Sequence, residues 1–386
     1  MKVIYIQDQE INSFGGLYYH SKSEHFFERY LTGLSDKDTL TVCCGIVPET
    51  DPEVIRKYKC VSTPRIRYVQ IPDFRRLSNI FKIFSIVKEQ VKNANFCYLR
   101  SGIASSVAGY YCRKKGIPYM AILNEDVFKN LWNHPKKTFK LFAFPLSWMT
   151  SRMVRKANYA CYVTQQYLQK RYPCRGKLCG CSDIEFLDID ERNLSAREKR
   201  IDSITRPYEI GSIGSLTAKL KGQDTVIRTL AYLKQKGITD YRYHLVGQGS
   251  PNNLKRLADN LNVADLVVFE GEFSHDDVLK WFEECDIYIH PSHSEGLPRT
   301  IIEAMTKATP CICSNVGGIP ELISKDWLFD YNGNETEELA NLIVRMDKAS
   351  MRREAKANFE KSKAYNPDML ERTRRLFFEK AIETAR

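Results

Sequence analysis

The densest chemistry in the chain lies between residues 285 and 323, CDIYIHPSHSEGLPRTIIEAMTKATPCICSNVGGIPELI. Two carboxylates, Glu295 and Glu303, stand eight residues apart there. Glu295 follows DIYIH, an apolar run that reads as a buried strand. Glu303 falls inside RTIIEAM, whose apolar spacing reads as a helix that Pro298 can open. The glycine of EGLP lets backbone N–H groups approach a ligand at the helix mouth, where the dipole favours negative charge. Glu303 can accept both hydroxyls of a ribose, and Glu295, nearer the mouth, can reach a sugar hydroxyl. The plainer alternative is a buried strand–helix unit with two incidental glutamates.

The elements that must hold these residues alternate. KVIYI, TLTVCCGIV, IRYVQI, NFCYLR, PYMAIL and YACYVT read as short buried strands, with helical patterns such as SEHFFERYLTGL and ASSVAGYYCRKKG between them. A second series follows: YEIGSIGSL, YRYHLVGQG, LVVFEGEF, CDIYIHPS, TPCICSNVGG and WLFDYNG, again with helical patterns between. Such βαβ alternation predicts parallel sheets covered on both faces. The expectation is an α/β chain of two Rossmann-like domains facing a cleft. The first spans 1–185, with a closing helix at 366–386 crossing back to it. The second spans 207–365. The charge-dense stretch 186–206 lacks a core pattern and suits a linker. Strand C-termini and helix N-termini around such a cleft suit nucleotides and phosphates.

The chain has 386 residues and a net charge of +11, and the whole excess lies in its first half. Between residues 61 and 180 the acids are Asp73, Glu89, Glu125 and Asp126 alone. That field suits an anionic partner. Within it, residues 73–92 place Leu77, Ile80, Phe81, Phe84 and Val87 near one helical face, with Arg75, Arg76, Lys82 and Lys88 around it. Residues 134–156 mix Phe142, Phe144 and Trp148 with Lys136, Lys137, Lys140, Arg152, Arg155 and Lys156. Both suit an interfacial helix on an anionic bilayer, or an amphipathic helix packed on its own domain. No nucleic-acid-binding signature is present. No apolar stretch approaches the roughly 20 residues of a membrane span, and MKVIYIQDQE reads as a strand, not an export signal. The twelve cysteines show no CxxC, so reduced cytosolic thiols are expected, and the cluster Cys174, Cys179 and Cys181 lacks zinc-site spacing.

Residues Pro291, Ser292, Glu295, Gly296, Pro298, Glu303, Ala304 and Met305, then Pro310, Gly317, Gly318 and Glu321, closely resemble the donor-binding signature of retaining GT-B glycosyltransferases, family 4 (group 1). Further segments resemble the family in order. GSIGSLTAKLKGQD carries Gly214, Leu216, Lys221, Gly222 and Asp224, but has Ser215 where the family has an arginine. HLVGQG carries Gly247 and Gly249, and FEGEF carries Gly271. NSFGGLYYH, with Gly15 and Gly16, resembles the family's first glycine-rich loop, and Asn124, Glu125 and Asp126 stand where many members carry a histidine. YVTQQYLQKRYP resembles capsular and O-antigen members.

The resemblance implies transfer of a sugar from a nucleotide-sugar donor, most commonly a UDP-sugar, to a hydroxyl acceptor with retention. It implies donor contacts from Gly15, Gly16, Gly214, Ser215, Lys221, Gly247, Gly271, Glu295, Gly296, Leu297 and Glu303. Lys221 and the helix mouth after Glu295 would stabilise the leaving diphosphate, with Arg299 or Lys219 compensating for Ser215. Asp126 or Glu125 would position the sugar or acceptor. No metal or other cofactor is implied. The basic first domain suits a polyprenyl-diphosphate-linked saccharide on the anionic cytoplasmic leaflet, which makes a cytoplasmic protein peripheral on the inner membrane face the expectation. A nucleotide-sugar epimerase of the same architecture, or a catalytically degenerate binding protein, are the alternatives.

Overall fold

The computed structural model describes residues 1–21, 24–73, 76–134, 136–184, 187 and 189–386. Its contacts divide the chain into two units. One comprises Met1–Leu131, Thr138–Cys181 and Glu371–Arg386, and the other Trp132–Lys137 and Ser182–Leu370. Ser23, Arg75, Glu185 and Phe186, which figure in the expected helix, basic stretch and domain edge, lie outside the described residues.

The first unit is built on strands β1 (Lys2–Phe14), β2 (Leu17–His20), β3 (Thr39–Pro48), β4 (Lys59–Cys60), β5 (Ile66–Gln70), β6 (Phe96–Arg100), β7 (Tyr119–Leu123), β8 (Tyr159–Tyr162) and β9 (Lys177–Gly180). The parallel order is β5-β3-β1-β6-β7-β8-β9, with β2 and β4 added antiparallel beyond the far end of β1. Val3, Ile4, Tyr5 and Ile6 are all fully buried. A strand covered on both faces needs such an unbroken apolar run. Helices Ile80–Lys92, Ile103–Lys115 and Lys140–Arg155 pack in sequence, the middle one touching both others. From Glu371 onward the last helix, Pro367–Glu383, belongs to this unit: Phe378 stacks 5.8 Å from Tyr30, and Tyr159 donates to the Lys380 carbonyl at 3.2 Å.

The second unit holds β10 (Tyr208–Ile213), β11 (Tyr241–Val246), β12 (Val267–Gly271), β13 (Ile287–His290), β14 (Cys311–Ser314) and β15 (Leu328–Phe329), all parallel, in the order β12-β11-β10-β13-β14-β15. This is a doubly wound order, and it reverses direction between β10 and β13.

Three local expectations change. Among the described residues, SEHFFERYLTGL forms turns and one short 3-10 segment, Glu28–Leu31, instead of a regular helix. Phe26, Phe27 and Tyr30 still point inward, into an aromatic group with Tyr5 and His20. Their packing is met by turns, and no side chain caps the segment. In helix Ile80–Lys92 the buried residues are Ile83, Val87 and Val91, whereas Phe81 and Phe84 face solvent. The apolar face is therefore split between core and surface. Within 186–206, Glu191–Ser203 is a helix with Asp190 as its cap and with Arg197 and Ile201 buried.

Arg197 explains why so polar a stretch packs. Its guanidinium donates to the carbonyls of Cys285 at 2.7 Å and Lys307 at 3.3 Å, to Thr309 Oγ1 at 2.9 Å, and to the Phe282 carbonyl. These acceptors lie where helices His275–Glu284 and Arg299–Thr306 end, so one cation satisfies carbonyls left over at two helix C-termini. Arg197→Met removes the donors and leaves the acceptors buried. The expected loss is about 2–4 kcal/mol, read as a lower urea midpoint with unchanged slope, with a smaller loss for Arg197→Lys.

Candidate functional site

The reversal of strand order decides where a site can form in the second unit. The chain leaves β10 toward one face of the sheet and leaves β13 toward the other, so their C-terminal ends bound a crevice that no connection crosses. The loop Gly214–Gly222 follows β10 and the loop Pro291–Pro298 follows β13. They are joined main chain to main chain: His293 N–H donates to the Leu220 carbonyl at 2.8 Å, as does Ser292 Oγ at 3.1 Å. Gly222, at φ +68°, has the Pro291 carbonyl 1.9 Å from where a Cβ would stand. Gly317, at φ +59°, has the Glu295 carbonyl at 2.0 Å in the same sense, and Gly318 N–H donates to the Gly296 carbonyl at 2.7 Å. Only glycine permits these approaches. The paired glycines thus buttress the backbone that carries Glu295.

Glu295 is the centre of the group. Lys221 Nζ donates to its Oε1 at 2.8 Å, and His290 Nε2 meets the same oxygen at 3.1 Å. The His290 Nδ1 faces the Tyr288 hydroxyl at 2.9 Å, and that hydroxyl meets Thr300 Oγ1 at 3.0 Å. The Lys221 stem runs beside Gly214, where a Cβ would stand 3.2 Å from its Cγ. Burial alone would raise the Glu295 carboxyl. The His290 hydrogen bond and the Lys221 charge outweigh it and bring the group down to about 2. Glu303 is buried on helix Arg299–Thr306, and burial raises its carboxyl, against the nearby charges of His275 and Arg299.

The other predicted residues of this unit gather at the same strand ends. Gly247 N–H donates to the Gly271 carbonyl at 2.7 Å, and the Gly214 carbonyl lies 2.0 Å from where a Gly247 Cβ would stand, which ties β10, β11 and β12 together. Gly296 and Leu297 are buried in the loop after β13. The Ser215 hydroxyl lies 3.1 Å from that of Thr217. Arg299 and Lys219 are both exposed.

The remaining predicted residues belong to the first unit. Gly15 and Gly16, at φ +57° and +80°, form the two-residue turn between β1 and β2. Asp126 has no exposed surface. Its carboxylate accepts from Phe128 and Lys129 N–H at 3.0 and 3.2 Å and from the hydroxyls of Tyr167 and Tyr172 at 2.6 and 2.9 Å, and it pairs with Arg171 at 3.4 Å. It is committed to holding its own loop. Glu125 is exposed and accepts from Asn130 Nδ2 at 2.7 Å.

Sequence reasoning missed His290, though it directly precedes the Pro291–Ser292 pair, because a histidine closing an apolar run reads as core. It also missed Asp8 and Arg100, at the matching switch between β1 and β6. Asp8 accepts from Ile103 and Ala104 N–H at 2.6 and 3.2 Å, and burial lifts its carboxyl to about 6. Arg100 donates to Gln9 Oε1 at 2.8 Å. For Arg100 the available signal was a strand-end charge followed by SG at 101–102.

The depressed Glu295 has a consequence for stability. Its contribution is complete above the unfolded-chain value of 4.5 and is lost as pH falls from there through about 2. The shift corresponds to roughly 3 kcal/mol. Glu295→Gln therefore has a flatter urea-measured stability than the parent between pH 5 and pH 3. Equal slopes of the two across that window would mean that Glu295 carries no such shift.

Residues 196–361 match the family model of glycosyl transferases group 1. Across most of its length the chain is similar to protein CapJ of Staphylococcus aureus, 26% identical over 353 residues, covering 89% of this chain and 86% of that protein. It is 31% identical over 185 residues to the putative colanic acid biosynthesis glycosyltransferase WcaL of Escherichia coli strain K12, covering 42% of this chain and 45% of that protein. Among solved structures, sucrose-phosphate synthase from Thermosynechococcus elongatus aligns with a TM-score of 0.66 at 15% identity over 96% of each chain. Anabaena HepE in complex with UDP aligns with a TM-score of 0.61 at 17% identity over 96% of this chain and 98% of that one. At these identities the structural likeness concerns the fold, two Rossmann-like parallel-sheet domains of the GT-B kind. Residues 196–361, which hold Lys221, His290, Glu295 and Glu303, thus carry a glycosyl transferase group 1 domain.

Proposed function

We propose that the protein is a retaining glycosyltransferase of the family 4 kind. It moves a sugar from a UDP-sugar to a hydroxyl of a lipid-linked saccharide during synthesis of a surface polysaccharide. The observation that carries this reading is the Lys221–Glu295–His290 group at the switch point of the matched domain. An ionised carboxylate there can accept from a sugar hydroxyl, and a cation beside it can meet a diphosphate. In the reaction the bond from the sugar C1 to the β-phosphate oxygen breaks and a bond from C1 to the acceptor oxygen forms. The acceptor proton passes to the leaving diphosphate, whose growing charge Lys221 and the N-terminus of helix Arg299–Thr306 stabilise. No metal ion takes part in this scheme. Glu303 holds the ribose, and Gly214, Ser215, Gly247, Gly271, Gly296 and Leu297 line the donor. The basic field of the first unit suits an anionic acceptor. The colanic acid biosynthesis relative WcaL supports the polysaccharide reading and HepE with UDP supports the nucleotide, each as a likeness.

The lipid acceptor gives the basic surface a use. Among the described residues no helix is long and apolar enough to cross a membrane. The proposed contact is peripheral, on the cytoplasmic face of an anionic membrane, through residues 73–92 and 134–156. Phe81, Leu141, Phe144 and Trp148 are among the most exposed large apolar residues of the protein. Helix Ile103–Lys115, which packs between the two others, carries Arg113, Lys114 and Lys115 and no acid.

A screen of nucleotide-sugars against lipid-linked acceptors tests the activity, with release of free nucleoside diphosphate and product anomer as readouts. Turnover of a donor to its epimer without acceptor would overturn the reading. Glu303→Ala loses a hydrogen bond to a charged group, about 1.5–3 kcal/mol, and binds UDP ten- to a hundredfold more weakly by calorimetry. On vesicles, binding requires anionic lipid and weakens with salt, since exposed charges are screened over about 8 Å at physiological ionic strength. Phe144→Ser with Trp148→Ser loses most of the salt-resistant fraction; equal binding to neutral and anionic vesicles would remove the role of the basic surface, and no binding to either would remove the membrane role.

A further inference from the structure

The Lys221–Glu295 pair sets a conflict for the reaction proposed above. The ammonium that a donor diphosphate needs lies 2.8 Å from a carboxylate whose side chain is 14% exposed. If Lys221 turns toward phosphate, Glu295 loses its cation while mostly buried, and an unpaired buried charge is strongly unfavourable. Donor binding would then be opposed by the very residue meant to hold the sugar.

His290 is placed to remove that opposition. Its side chain is 4% exposed, it closes β13, and its Nε2 lies on the same Oε1 that Lys221 occupies. Its other nitrogen faces Tyr288, a fully buried side chain whose hydroxyl also meets Thr300 in the first turn of helix Arg299–Thr306. The ring is thus fixed through Nδ1 while Nε2 stays within hydrogen-bond distance of the carboxylate. The ring is held by strand and helix together and does not depend on the ligand. Lys221, by contrast, is a long, flexible stem at the end of a loop, its side chain 34% exposed.

We propose that His290 is the positioning residue that keeps Glu295 paired and oriented while Lys221 exchanges the carboxylate for the donor diphosphate. The phosphate takes the cation, the histidine keeps the carboxylate, and the second carboxylate oxygen stays open to a sugar hydroxyl. This rests on the reading of the site as a nucleoside-diphosphate-sugar site. A histidine serving only the core would support the bound and unbound states alike. One serving the exchange matters only when a diphosphate draws Lys221 away.

The experiment compares the intact protein with His290→Phe, His290→Gln, Lys221→Met and the Lys221→Met, His290→Phe double variant, after thermal melts establish that each is folded. UDP, GDP, ADP and dTDP are titrated by calorimetry, and the nucleoside matching the tightest binder is titrated by ligand-observed NMR. The expected result is diphosphate affinity about tenfold lower in His290→Phe with nucleoside affinity changed less than twofold. His290→Gln, whose amide N–H can replace the Nε2 donor, recovers most of the loss. In the Lys221→Met background the His290 substitution changes diphosphate affinity less than twofold, because no exchange remains to protect. Equal losses for diphosphate and nucleoside, an unchanged His290→Phe, or the same His290 effect without Lys221 would each overturn the exchange while leaving the donor site standing. Failure of the parent protein to bind any of the four diphosphates would overturn both.

Discussion

The reversal of strand order between β10 and β13 is the constraint from which the second unit's chemistry follows. Parallel strands send their connections over one face or the other, and where the direction changes the strand ends are left uncovered. Main chain must then finish the crevice from loops alone. That accounts for the close approaches at Gly222 and Gly317, where carbonyls of the β13 loop take the space a side chain would need. Glu295 stands on a loop supported from two sides, by the Leu220 carbonyl beneath His293 and by Gly318 beneath Gly296.

Two well-buried carboxylates in the chain have opposite characters. Asp126 accepts from two backbone N–H groups and two tyrosine hydroxyls, with Arg171 beside it, all from the unit it belongs to. Every side of it is occupied, so it caps and ties a loop. Glu295 concentrates its two donors on one oxygen. Burial opposes its charge and two donors restore it, which leaves an ionised group with an unspent face. Donors reach both oxygens of Asp126, whereas among the described residues those of Glu295 reach one alone.

Arg197 shows the same accounting away from the site. The helix Glu191–Ser203 has little apolar surface, and it packs by bringing donors to carbonyls that two other helices leave unpaired. Those helices flank β13 in the chain. The support of the elements around β13 therefore begins in a stretch that hydropathy alone assigns to a linker.

The alternation of buried runs and helical periods determined the class of both domains, because a doubly covered parallel strand has to be apolar throughout, as Val3–Ile6 and Ile287–Ile289 are. The spacing of Glu295, Gly296, Pro298, Glu303, Gly317 and Gly318 likewise marked out the candidate site, since these residues are neighbours along one strand–loop–helix course and its glycine buttress. What lay beyond the sequence were the properties that depend on partners distant in the chain. Lys221 meets Glu295 across 74 residues, and Arg197 meets Cys285 across 88. His290 looks like the last residue of a core strand until the fold places a carboxylate on one nitrogen and a tyrosine on the other. Phe81 and Phe84 fit an apolar helical face, yet the sheet has room only for Ile83, Val87 and Val91. Local spacing determined which side chains share an element, and only the tertiary structure decided which of them bury charge together, because burial and pairing are set by what packs against an element and not by the element itself.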